Sequence, residues 1–165
     1  MKNAVSFLAL ALAFTVLTAF TFSSNHNYIG SKQCKACHSN AKMGGISYKT
    51  WEKGVHANAM ESLKTPEADK IAKGKAITDK GCLSCHQTSA KDNGVGCESC
   101  HGAGSAYKTK HAKDLAGAKA LGLETPKVAD GSAEKQCKTC HNEKSPTYKG
   151  FDMKKDWPKV AHPKS

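Results

Sequence analysis

Cys34-Lys35-Ala36-Cys37-His38 is a Cys-x-x-Cys-His run, and the chain repeats the pattern three more times. The copies are Cys82-Leu83-Ser84-Cys85-His86, Cys97-Glu98-Ser99-Cys100-His101 and Cys137-Lys138-Thr139-Cys140-His141. Together they use all eight cysteines. Each run has the form of a c-type haem attachment site, in which two thiols form thioethers with the porphyrin and the following histidine binds the iron. No cysteine is left for a disulfide. Zinc is the competing reading of Cys-x-x-Cys, but a zinc ribbon needs two knuckles, not four, and has no need of a histidine after each. The expected cofactors are four covalently bound haem c groups.

The ends and composition agree. Met1-Lys2-Asn3 is a short basic start, followed by a nearly unbroken apolar run from Ala4 to Phe22. That is the layout of a secretory signal peptide, with cleavage expected after Ser23. The domains read as a signal peptide over 1–23 and a tetrahaem domain over 24–165. Because the run approaches the ~20 residues that span a bilayer, an uncleaved anchor is the alternative, and membrane association is expected in that case alone. Export matches the haem motifs and points to the periplasm. About 140 residues shared among four haems leave about 35 for each, too few for a large conventional core beside them. The expected fold is therefore all-α, a small multihaem cytochrome of short helices and irregular loops wrapped around its haems.

All 25 basic residues are lysine, and the formal charge is +11. Eight haem propionates and four ferric centres would bring the exported holoprotein to roughly +6. A lysine-rimmed surface suits redox partners with acidic docking faces; the plainer reading is that the lysines offset the propionates. Nucleic acid is disfavoured, since no arginine is present for bidentate base contacts.

Periodicity predicts a helix over 47–63, with Trp51, Val55, Ala59 and Leu63 in one stripe and His56 and Met60 beside it. Thr65-Pro66 ends it and starts another helix running to about Ala76. A second amphipathic helix is predicted over 105–120, carrying His111. Ser132 is expected to cap a short helix holding the fourth motif, and the proline-punctuated tail to be anchored by Phe151, Trp157 and Val160. No strand pattern is present.

Of eight histidines, four belong to the motifs as proximal ligands: His38, His86, His101 and His141. The other four, His26, His56, His111 and His162, supply one spare imidazole per haem, the number needed for bis-histidine coordination throughout. His56, His111 and His162 are the candidate distal ligands, and His26 stands near the presumed mature N-terminus. Methionine is the alternative sixth ligand: Met60 is expected to pack, while Met43 and Met153 remain open. Closed, six-coordinate irons move electrons; an open one can do chemistry.

Several stretches resemble the cytochrome c-554-type tetrahaem family, best known as electron acceptors for hydroxylamine oxidoreductase. They are Tyr28-Ile29-Gly30-Ser31, Trp51-Glu52-Lys53-Gly54-Val55-His56-Ala57, and Gly94-Val95-Gly96-Cys97-Glu98 through His101-Gly102-Ala103-Gly104, with Tyr107 and His111. The resemblance implies that His56 faces His101 and His111 faces His141. It also implies that the second haem, on His86, can lack a protein sixth ligand. The family draws its first haem's distal ligand from a long segment between the second and third motifs. Here Gln87 to Gly96 is short and has no histidine, leaving His162, then His26, as candidates for His38 or for closing the second haem. The leading function is a periplasmic electron carrier, not an enzyme; the alternative is a small haem enzyme with an open second haem, reducing nitric oxide or a nitrogen oxyanion.

Overall fold

The computed structural model describes residues 26–162; the predicted signal peptide and its cleavage site lie outside them. The described chain is helical in short pieces, none longer than nine residues. The α-helical pieces are Lys35–His38, Ser47–Trp51, Pro66–Ala72, Lys80–His86, Glu98–His101, Leu115–Ala120, Ser132–Cys137 and Met153–Asp156. Tighter 3₁₀ turns cover Ser31–Cys34, His56–Lys64, Ala76–Thr78 and Trp157–Lys159. Among the described residues, the β pairing is a single bridge between Asn40 and Gly45. No helix in this range is long and apolar enough to cross a membrane.

Each motif closes a helical turn. Residues three and four apart share a helix face, so both cysteines and the histidine project to one side. His101 N donates to Cys97 O at 3.0 Å and His141 N to Cys137 O at 2.9 Å, completing that turn in the third and fourth motifs. In the second, Asp79 caps the helix, its carboxylate accepting from Cys82 N at 2.9 Å.

The helix expected over 47–63 is broken. Ser47–Trp51 stops before Gly54, and the chain resumes as a 3₁₀ segment kinked at Asn58 (φ −117°, ψ 22°). A tertiary contact causes this: Val95 N donates to His56 O at 2.8 Å, and Trp51 Nε1 donates to Val95 O at 2.9 Å. The neighbouring Gly94 lies so close that a Cβ there would collide with the carbonyl oxygens of His56 and Ala57. The helix expected over 105–120 also splits. Residues 104–113 form turns, and Asp114 starts Leu115–Ala120 by accepting from Gly117 N at 2.7 Å. His111 thus sits in a turn and not in mid-helix. Thr65 does cap Pro66–Ala72, accepting from Ala68 N at 3.1 Å with Pro66 in the first turn. That helix ends early, at left-handed Lys73 (φ 52°). Before the fourth motif the cap is Gly131, with Ser132 as first helical residue.

The polypeptide core is thin. Among the described residues its buried apolar side chains are Tyr48, Ala57, Met60, Leu63, Ala76, Tyr107, Ala118 and Ala133, half of them alanine. One cluster, Met60, Leu63 and Ala76, packs with Ile77, Cys82 and Leu83 against the second motif. Val55 is 74 % exposed and Met43 67 %. Apolar side chains left this open beside the motifs are surfaces that a large planar apolar group would cover.

Candidate metal centres

Three of the four motif histidines face a histidine from elsewhere in the chain. The rings of His38 and His111 are 5.8 Å apart between centroids and nearly parallel, at 12°. Those of His56 and His141 are 6.0 Å apart at 42°, and those of His101 and His162 are 6.0 Å apart at 44°. Two metal–nitrogen bonds of about 2 Å each account for about 4 Å of such a spacing, and the half-widths of two rings for the rest. The centroid spacing of each pair is the size that one metal ion between two imidazoles requires. Among the described residues, no three His, Cys, Asp or Glu side chains converge as a structural zinc site requires.

The pairing differs from the one the resemblance implied. His56 faces His141, not His101; His111 faces His38, not His141; and His162 faces His101, not His38. Long-range contacts set this. The turn bearing His111 lies beside the segment leading into the first motif, where Lys108 Nζ donates to Gln33 Oε1 at 2.9 Å. Asn27 N and Ser105 Oγ are joined at 2.8 Å on the same side. The tail folds back with Phe151 stacked on His141 (5.5 Å, 25°), and its last helical turns then carry His162 to His101. His26 lies against Gly122, where a Cβ would stand 3.0 Å from His26 Nδ1. His86 faces no second imidazole among the described residues.

The ring tautomers are fixed from behind. His38 Nδ1 donates to Gly44 O at 2.9 Å, His86 Nδ1 to Ala59 O at 3.0 Å and His101 Nδ1 to Glu124 O at 2.9 Å. A carbonyl can only accept, so each Nδ1 carries the proton and Nε2 keeps its lone pair for a metal. His111 Nδ1 is held in the same way by Tyr107 O, at 3.2 Å. Burial, then the neighbouring His141, pushes His56 below the usual histidine range, favouring the neutral form that ligates. These carbonyl contacts had no signal in the sequence, because their partners are backbone atoms of unremarkable residues.

The family model described as cytochrome c554 and c-prime matches residues 33–102. Cytochrome c-554 of Nitrosomonas europaea is 31% identical over 161 residues, covering 81% of this chain and 66% of that protein. The chain belongs to the cytochrome c-554 family. It spans about two thirds of that relative's length. The solved reduced state of cytochrome c554 from Nitrosomonas europaea is 28% identical, covers 82% of this chain and 79% of its own, and superposes with a TM-score of 0.45.

A cytochrome c of this family carries covalently bound haem c, and the residues present fit that group. Paired thiols and a histidine share one face of each motif turn, three imidazole pairs leave room for an iron, and apolar surface stands open beside them. The thiols also show how this cytochrome's motifs adjoin. Cys97 N of the third motif donates to Ser31 Oγ beside the first at 2.9 Å, and the neighbouring Cys97, then burial, pushes the Cys34 thiol up. Burial, and after it Cys85 of the second motif, pushes the Cys140 thiol of the fourth up. Cys100 is pushed up to about 11 by burial and then by Cys137, so the third and fourth motifs adjoin too.

Proposed function

We propose that this chain is an exported tetrahaem cytochrome that carries electrons between redox proteins. Cys34, Cys37 and His38 with His111 would hold the first haem, and Cys97, Cys100 and His101 with His162 the third. Cys137, Cys140 and His141 with His56 would hold the fourth, and Cys82, Cys85 and His86 the second. Haem supplies a one-electron ferric/ferrous couple at each motif. The chain's own part is to close three coordination spheres, fix the tautomers through backbone carbonyls, and hold the four attachment sites in a continuous series. No side chain is needed as an acid or base. The observation that carries this reading is the facing of three motif histidines by spare histidines at metal-spanning distance.

Lysine outnumbers acid by 25 to 14, which supports partners with acidic docking faces. The periplasm follows from the N-terminal apolar run. One observation favours the second reading, reduction of nitric oxide or a nitrogen oxyanion: His86 has no imidazole opposite it among the described residues.

The experiment is a pyridine haemochrome assay of the purified exported protein, followed by stopped-flow reduction and reoxidation with an acidic cytochrome. About four haems per chain with full reoxidation by the partner supports the carrier. Sustained consumption of nitric oxide by the protein supplied with a small-molecule reductant, without a protein partner, supports the enzyme instead.

A further inference from the structure

The first and third motifs meet over two buried carboxylates. Glu98 stands inside the third motif and is 2 % exposed. Its Oε1 accepts from Gly104 N at 2.7 Å and Ile29 N at 3.0 Å, and its Oε2 from Gly30 N at 2.7 Å and Ile29 N at 3.1 Å. Asp92, 7 % exposed, accepts from Ser31 N at 2.8 Å through Oδ1 and from Ser89 Oγ at 3.4 Å through Oδ2. Ser31 is fully buried, and its Oγ accepts from Cys97 N at 2.9 Å. A Cβ on Gly96 would lie 2.7 Å from Asp92 Oδ2, and one on Gly104 3.1 Å from Glu98 Oε1. Both glycines are needed for the acids to be enclosed.

Every donor to these carboxylates is a neutral N–H or hydroxyl. Both oxygens of Glu98 are taken up as acceptors, the pattern of an ionised carboxylate. Among the described residues neither acid is in an ion pair, although the chain has 25 lysines. Acids near the second and fourth motifs differ. Glu61 pairs with Lys64, Asp69 with Lys75, Glu134 with Lys138 and Asp156 with Lys159, all towards solvent. The field of the two buried acids reaches an attachment thiol: both add to the rise of Cys34, after the neighbouring Cys97 and its own burial.

We propose that Asp92 and Glu98 are tuning residues that lower the reduction potentials of the haems held by the first and third motifs. The inference rests on the haem reading given above. A negative charge in a low-dielectric site favours the more positive ferric state over the ferrous one. The backbone N–H groups keep the charge in place without cancelling it, as a lysine would.

The test is a potentiometric titration of the holoprotein and its Glu98→Gln and Asp92→Asn variants, followed optically and by electron paramagnetic resonance. The nearly parallel rings of His38 and His111 make the first haem's signal distinguishable from those of the 42° and 44° pairs. At a fixed ambient potential, the reduced-to-oxidised ratio of the first and third haems should rise about tenfold in a variant, about 59 mV for a one-electron couple. The second and fourth should stay in place. Mere loosening of the fold admits water, which favours ferric iron and moves the midpoints downward. Unchanged or lowered midpoints in either haem-loaded variant overturn the proposal. Loss of haem from both variants also overturns it, because the acids would then serve folding alone. A haemochrome count below four in the unmodified protein would instead undo the haem reading itself.

Discussion

Replacing His111 with alanine tests the pairing most sharply, because the sequence resemblance and the structure assign it to different haems. The structure sets it 5.8 Å from His38 with the rings 12° apart. Besides this role, the imidazole makes one hydrogen bond, to Tyr107 O, and an edge contact with the Tyr107 ring at 6.1 Å. Losing those costs about 1–2 kcal/mol, small beside the 5–15 kcal/mol typical of a folded domain. The variant should therefore fold and attach its haems. Its effect should be local: carbon monoxide binding rises from about one to about two equivalents per molecule as a second iron opens. The low-spin signal that disappears should be that of near-parallel axial rings, and the signals of the two oblique pairs should persist. Carbon monoxide titration and electron paramagnetic resonance on one sample read both outcomes. Loss of an oblique-pair signal, with the near-parallel one intact, would place His111 on another haem and refute the pairing.

Gly94→Ala puts a Cβ onto the carbonyls of His56 and Ala57 and should destabilise the protein by about 1–3 kcal/mol, seen as a lower melting temperature with a weakened low-spin signal from the His56–His141 site. Asp69, Asp79, Asp130 and Asp156 are all held below the usual carboxylate range, chiefly by hydrogen bonds: Asp69 from Lys75, Asp79 from Cys82 N, Asp130 from Ser132 and Asp156 from Lys159. A carboxylate depressed in the folded state stabilises above its unfolded pKa, about 4, and that contribution is lost as pH falls through the folded value. The carboxylate contribution to the melting temperature should thus be flat above about pH 5 and fall below about pH 4, with a shallower fall in Asp79→Asn; an equal slope in that variant would remove Asp79 from the account. Electron exchange with an acidic partner should slow as ionic strength rises from 0.01 M to 0.15 M, where the screening length shrinks from about 30 Å to about 8 Å. A salt-independent rate would take the lysines out of docking.

The four Cys-x-x-Cys-His turns were legible directly, because their spacing is local and needs nothing distant. The Thr65-Pro66 helix start was equally local. The broken helices were not: a 3.6-residue pattern ran through His56, yet Val95 N takes its carbonyl, and Asp114 restarts a helix where the pattern was continuous. The histidine pairing lay further still from local pattern, since it depends on how Lys108, Phe151 and the final turns route the chain. The buried acids were overlooked as well. Their signal was present in Gly94-Val95-Gly96-Cys97-Glu98 and Gly104, where small residues crowd around an acid inside a haem motif.

The central claim is that three coordination spheres are closed by the chain and the one at His86 is not. Titrating the fully reduced, four-haem protein with carbon monoxide tests it directly. The account predicts saturation at about one equivalent per molecule, with the remaining haems low-spin and unresponsive. No binding at all would mean that His86 has a partner across its haem, and two or more equivalents would mean that a facing pair of histidines does not close its iron.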